Sequence, residues 1–236
     1  VVLGVCGDPG ARAPGARVAV ASPSPDSGPH VPPVVVALPD ATRQRGPGHV
    51  RAGPFAIAGA TPGDRLEVRI DKIEVGADWG YCGFRPLAGT LPEDFPEKFL
   101  SHIPVDRERG VCTLPWGTEL KLAPFFGVMG VAPPPAYGTI STIQPREHGG
   151  NLDNKELTEG ATLFRPVWAE GALFSAGDGH GVQGDGEVCI NALEICLTGT
   201  FTFTLHKAAG KALLTYPRAE TSTHFISMGM HEDPDQ

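Results

Sequence analysis

The chain has 236 residues, of which 19 are basic and 27 acidic, giving a formal net charge of −8; such a surface repels a phosphate backbone and excludes non-specific nucleic-acid binding. Its 41% hydrophobic and 19% charged composition is that of a folded globule with enough chain for one large β domain or two small ones, and it contains no run of about 18 apolar residues able to form a transmembrane helix. With Gly 31 and Pro 24, helices are shortened and turns multiplied, so the expectation is all-β.

In chain order, residues 1–48 carry nine prolines and seven glycines and read as a loop-rich segment with one candidate strand at Val34–Leu38. Pro54–Ala58 is a short apolar run and Thr61-Pro62-Gly63-Asp64 a turn. Arg65–Ile70 then alternates polar and apolar residues as a half-buried strand does. The prolines of residues 91–101 limit that stretch to loop or a single helical turn. Glu119–Leu122 alternates again, and Pro124–Pro135 has the apolar, glycine-punctuated texture of a core or pocket wall. Thr162–Trp168 is a further strand and Ala172–Phe174 a short apolar piece, while Glu187–Leu205 is expected to form two strands bent at Gly199. These elements predict a mainly antiparallel sandwich or barrel with a few short helices.

The five cysteines are odd in number, lack any C-x-x-C spacing and are sparse for a disulfide scaffold, which predicts a reducing cytoplasm. The densest polar cluster is Gly177-Asp178-Gly179-His180-Gly181-Val182-Gln183-Gly184-Asp185-Gly186-Glu187. Glycine costs chain entropy, so spacing it between these groups predicts a loop that bends sharply to make them converge; the plainer alternative is a polar hairpin turn. The G-x-G-x-x-G match at Gly179, Gly181 and Gly184 is rejected as a dinucleotide site, because strand-like Val188-Cys189-Ile190 follows where a helix is needed. A second cluster, His148-Gly149-Gly150-Asn151-Leu152-Asp153-Asn154-Lys155-Glu156, offers oxygen ligands to a cation or forms an ordinary Asx-turn. His49 follows Gly46-Pro47-Gly48, just before a strand.

Taken together, these segments resemble the acetamidase/formamidase family. The likeness runs through Gly53-Pro54, Gly59–Asp64, Ala123–Pro133, Gly149–Asp153, Pro166-Val167, Gly171–Ser175, Gly177–His180 and Gln183–Glu187 to His224 and Met228-Gly229. It implies a jelly-roll-like β sandwich spanning residues 49–236 as the catalytic domain, a homo-oligomer, and hydrolysis of short linear amides such as acetamide or formamide to carboxylic acid and ammonia. Two departures stand out: His49-Val50-Arg51-Ala52 replaces an expected Leu-Thr-type pair, and the chain stops at Gln236, before an expected helical C-terminal region.

Combined with ligand chemistry, the resemblance implies a divalent cation, zinc first and calcium second, with Asp153, Asp178 and His180 as leading ligands and His49 as a further one. Glu187 is the preferred general base, with Asp185 as the other acidic candidate; Asn151 and Gln183 are candidate donors to the substrate or its oxyanion. These roles remain permutable among the acidic residues. Two rivals are kept: thiol chemistry at Cys189, two residues beyond Glu187 and so on the same strand face, and a non-catalytic or degenerate metal- or carbohydrate-binding β module.

Overall fold

The computed structural model of the chain describes residues 2–5, 35–37, 49 and 51–230. Most of the proline- and glycine-rich segment 1–48 therefore lies outside the described residues, but Val2–Val5 (β1) and Val35–Ala37 (β2) within it are strands. The remaining strands are β3 (Arg51–Ile57), β4 (Arg65–Val75), β5 (Trp79–Phe84), β6 (Phe99–Asp106), β7 (Val111–Thr113), β8 (Glu119–Lys121), β9 (Phe125–Gly130), β10 (Gly149–Asn151), β11 (Thr162–Pro166), β12 (Phe174–His180), β13 (Leu197–His206), β14 (Arg218–Glu220) and β15 (Phe225–Ser227). In place of the expected few short helices, the described residues hold one 3₁₀ turn, Pro135–Tyr137. None of their helices is long and apolar enough to cross a membrane.

The strands form a six-stranded sheet (β1-β13-β4-β11-β14-β15), a five-stranded sheet (β10-β9-β12-β3-β2) and a four-stranded ribbon (β5-β6-β7-β8), and their pairings are antiparallel. The two larger sheets share one core. Phe126 and Phe174 of the five-stranded sheet meet Phe201 of the six-stranded sheet at 5.5 and 5.9 Å between ring centroids, and Phe174 meets Phe203 at 5.1 Å. Full burial of a side chain of this size contributes about 1.5–3 kcal/mol. A second tie is polar: wholly buried Arg165 of β11 donates to Met129 O of β9, and burial lowers its guanidinium to about 9.

The alternation in β4 shows how sequence becomes register. Leu66, Val68 and Ile70 are buried, and then the phase changes, so that Ile73 is the next buried residue. The change falls at a bulge, where Thr200 faces Lys72 and Phe201 faces Ile70, leaving Asp71 without an opposite number. One extra residue moves the apolar set to the opposite parity while keeping it on the core face. The extra residue is on β4, and β13 pairs across it without interruption, which corrects the expectation of two strands over Glu187–Leu205 bent at Gly199: Leu197–His206 is one strand, and residues 187–196 run as turns and irregular chain around the bridge residue Glu194. Among the cysteines, Cys82, Cys112 and Cys189 are free and Cys196 is disulfide-bonded.

The Thr61–Asp64 turn is closed by its own carboxylate. Asp64, 1% exposed, accepts from Thr61 N (2.8 Å), Thr61 Oγ1 (3.0 Å), Ala208 N (2.9 Å) and Lys207 Nζ (2.5 Å). Burial alone raises this carboxyl, but the bonds from Lys207, Ala208 and Thr61 outweigh it and hold Asp64 below the ordinary range. A depressed folded value stabilises the protein above the unfolded carboxyl's pKa, and that contribution is lost as pH falls through the folded value. Asp64→Asn is expected to cost about 1.5–3 kcal/mol at pH 7. Urea unfolding should show the loss at pH 7 and a smaller difference from wild type as the medium is acidified below the carboxylate range.

Candidate functional site

Strand β12 runs through the middle of the five-stranded sheet, paired with β9 on one side and β3 on the other. It carries Asp178 and His180, two residues apart and so on one face. The glycine-spaced run is thus a strand in its first half, not the freely bending loop expected from sequence. The bend is confined to one residue, Asp178, at φ 58°.

Two glycines make room for the cluster. Gly127 of β9 sits between the pairs Val128↔Gly177 and Phe126↔Gly179, which places it opposite Asp178. A methyl on it would stand 2.6 Å from Asp153 Oδ1, 2.8 Å from Asp178 Oδ2 and 2.8 Å from His180 Cε1; bare backbone is the floor on which these side chains converge. Asp153 is held there because its own N–H and that of Leu152 both donate to Gly127 O, at 3.1 and 2.9 Å. Gly179, between the two site residues of β12, lies against the Ala192–Leu197 segment so closely that a Cβ would overlap Ile195 O. That approach, sealed by Ile195 N to Gly179 O and Gly181 N to Leu193 O (2.8 Å each), delivers Glu194 to His180.

The geometry centres on His180, 1% exposed and edge-on to the Phe125 ring at 5.0 Å. Its Nε2 lies 3.4 Å from Asp178 Oδ2, 3.5 Å from Glu194 Oε1 and 3.8 Å from Glu187 Oε1. Its Nδ1 lies 2.9 Å from Gln183 Oε1, and Gln183 in turn donates to Asp153 O at 2.8 Å. His49 Nε2 stands 3.9 Å from Asp178 Oδ2, with the His49 ring braced by Thr142 Oγ1 at 3.2 Å. Two triads, Asp153/His180/Glu187 and Asp178/His180/Glu194, each bring their ligand atoms within 4.8 Å of one another.

Four carboxylates around one imidazole make an electrostatically demanding pocket. Burial first, and then neighbouring negative charge, pushes Glu187 up to about 8 and Glu194 to about 7 and raises Asp153, all against the pull of His180. Burial lowers His180, but the Asp178 carboxylate 3.4 Å from Nε2 and the charges of Glu194 and Asp153 outweigh it and raise the imidazole to about 9. His180 Nε2 and Asp153 Oδ1 are buried without a hydrogen-bond partner. Orphaned atoms of this kind, one nitrogen and one carboxylate oxygen on a shared floor, suit a borderline divalent cation, and the donor set of imidazole plus carboxylates matches it.

Of the residues expected from sequence, the structure brings Asp153, Asp178, His180, Glu187 and His49 together. Asp185 lies outside the cluster: its side chain is 92% exposed and lies 3.6 Å from Lys155 Nζ, because the turn after Gly184 points it outward. Gln183 holds the site together with both ends of its amide, its Oε1 on His180 Nδ1 and one Nε2–H on Asp153 O. Asn151 donates to Ile143 O at 3.1 Å, and its Oδ1 is buried without a partner. Glu194 was missed. Its signal is a single acid inside the apolar run Ala192-Leu193-Glu194-Ile195, where burial of a carboxylate demands a reason.

The model of the acetamidase/formamidase family matches residues 42–139 and 135–225. The chain is 30% identical to an acetamidase of Mycolicibacterium smegmatis, covering 60% of this chain and 49% of that protein, and 28% identical to a formamidase of Methylophilus methylotrophus, covering 59% and 47%. It spans about half the length of these relatives. Among solved structures, a predicted acetamidase/formamidase from Thermoanaerobacter tengcongensis superposes with a TM-score of 0.67 at 33% identity, covering 73% of this chain and 55% of that one. The acetamidase of Bacillus halodurans gives 0.65 at 35% identity, covering 72% and 57%.

Gly127 has no positive φ, so substitution there tests space alone. If the cluster takes up a divalent cation, Gly127→Ala is expected to weaken that binding at least tenfold, about 1.4 kcal/mol, measured by calorimetric titration. Asp185→Asn should leave it within about twofold, as befits an exposed surface charge.

Proposed function

Since the chain belongs to the acetamidase/formamidase family, we propose that the His180 cluster hydrolyses short linear amides of the acetamide and formamide type to carboxylic acid and ammonia. Asp153, Asp178 and His180, with His49, would hold a divalent cation, zinc first and calcium second. The observation that supports this most is the convergence of two donor triads on His180 with buried, unpartnered ligand atoms. Glu194 joins the candidate ligands on the strength of its 3.5 Å approach to His180.

Amides resist water because nitrogen donates into the carbonyl, so cleavage needs a stronger electrophile, a stronger nucleophile and a proton for the departing nitrogen. A cation held here supplies the first two, by polarising the carbonyl and acidifying water. Glu187 is the proton carrier, taking a proton from water and passing it to nitrogen. It arrives from a turn rather than from a ladder, hydrogen-bonds Asp153 and faces His180 Nε2. Gln183 positions rather than reacts, fixing the His180 ring through Nδ1 while anchoring the Asp153 main chain. Asn151, three residues from the His148-Gly149 corner and with an unpaired buried oxygen, remains the candidate contact for the substrate NH₂. Asp185 is given no catalytic role.

A homo-oligomer and residence in the cytoplasm are further parts of this reading; the latter requires the Cys196 disulfide to be open in the cell.

Ammonia release from formamide and acetamide, measured after chelation and after restoring single metals, tests the assignment. Chelation should abolish turnover and zinc should restore it. Full activity in chelator would remove the metal, and no ammonia from any amide under any metal would favour a non-catalytic cation-binding module. Glu187→Gln should lower kcat by about 10²–10⁴-fold and leave KM within a few-fold; an unaltered kcat would reassign the proton carrier.

A further inference from the structure

Beside the His180 cluster, two free thiols meet. Cys82 lies on β5, one residue past Tyr81, whose main chain pairs with that of Glu194 in both directions at 3.0 and 2.8 Å. Cys189 lies two residues past Glu187, in a turn tied to the segment that follows β5: the Thr90 N–H and hydroxyl both donate to Val188 O, at 2.9 and 3.2 Å. The backbones there are in packing contact, since a methyl on Gly89 would stand 3.2 Å from Cys189 Cα. The two half-buried side chains hydrogen-bond each other. Cys189 is not held in a strand ladder. It is bracketed by Glu187 at φ 42° and Ile190 at φ 60°, and its Sγ has in addition only a long contact of 3.8 Å to Asn191 O. A sulfur on such a turn can shift towards its neighbour without breaking a sheet.

We propose that Cys82 and Cys189 form a thiol–disulfide exchange site, in which a small-molecule disulfide of the glutathione class closes them into an intramolecular disulfide that fastens the Glu187 turn to β5. The sulfur of Cys189, as thiolate, attacks one sulfur of the small disulfide; its S–S bond breaks and the first small thiol leaves, taking up a proton. The sulfur of Cys82 then attacks the Cys189 sulfur of the mixed disulfide and expels the second small thiol, which takes the other proton. Two protein thiols lose two electrons and two protons, and both pairs end on two molecules of small thiol. Burial pushes the Cys82 thiol up to about 12, with the adjacent Cys189 as the next cause. Cys112, 1% exposed on β7, is the internal control. The proposal stands apart from amide hydrolysis and survives its failure.

The test uses the full chain, incubated near neutral pH with oxidised glutathione, quenched by alkylation and digested without reduction. Trypsin is combined with a glutamate-specific protease that cuts at Glu194, between Cys189 and Cys196. The expected result is a linked Cys82–Cys189 peptide, an intact mass lower by two hydrogens, and recovery of both thiols with dithiothreitol, while Cys112 stays unmodified. Cys82→Ser should stop at the Cys189–glutathione adduct, with an adduct lifetime at least tenfold longer than in wild type. Cys82→Ala serves equally if the serine variant does not fold. A wild-type protein that keeps both thiols free, or that ends as the stable glutathione adduct without the linked peptide, overturns the proposal.

Discussion

The structure turns on one conflict: four carboxylates and an imidazole are gathered in a space largely withdrawn from water. Like charges at such distances repel, and burial removes the solvent that would screen them. Each surrounding feature bears on that conflict. Gly127 removes the side chain that would fill the space, Gln183 holds the imidazole from its far side, and Glu194 is fixed by a main-chain bridge to Tyr81 and by its own bond from Ala192 N. A divalent cation would resolve the same conflict with one particle, which is the physical ground for the proposed cation site.

The cluster draws its parts from elements of different stiffness. Asp178 and His180 ride on the end of β12, paired to β9 and, beyond the end of the β3 ladder at Gly177, bridged from His180 to Glu194, in a sheet locked to its partner by phenylalanine contacts and the buried Arg165. Asp153 and Glu187 come from turns, each in the left-handed region (φ 43° and 42°), where a non-glycine residue persists only when neighbours enforce it. The strand-borne pair sets the position of the imidazole, and Asp153 and Glu187 close on it from the connecting segments. Cys82 and Cys189 fall at the boundary between these regimes, one on a strand and one beside Glu187. A covalent bond there would tie the Glu187 segment to β5.

Reading the strands from sequence worked where one face is buried. Arg65–Ile70, Glu119–Leu122 and Thr162–Trp168 alternate because one side of each strand meets the core, and the structure has strands at each. It failed over Glu187–Leu205, because Gly199 serves close approach of the Phe126 and Phe201 rings within one continuous strand rather than a bend, and residues 187–196 join no strand of their own. It also mistook the first half of the glycine-rich run for a loop. Those glycines serve close approach to β9 and to the Ala192–Leu197 segment, a property of neighbours that lie far away along the chain.

From sequence alone came the all-β class, the family likeness and the chemical kinds present at the site: Asp178, His180, Asp153, Glu187 and His49 were all nameable, because unusual residue types spaced by glycine stand out locally. Tertiary structure decided which of them meet. It turned Asp185 to solvent, engaged both ends of Gln183, and brought in Glu194 from a segment that reads as plain hydrophobic strand. The physical reason is that a polar side chain's role depends on what desolvates it, and the desolvating partners here, Gly127, Gly179 and Ile195, are set by strand pairing rather than by neighbours in sequence.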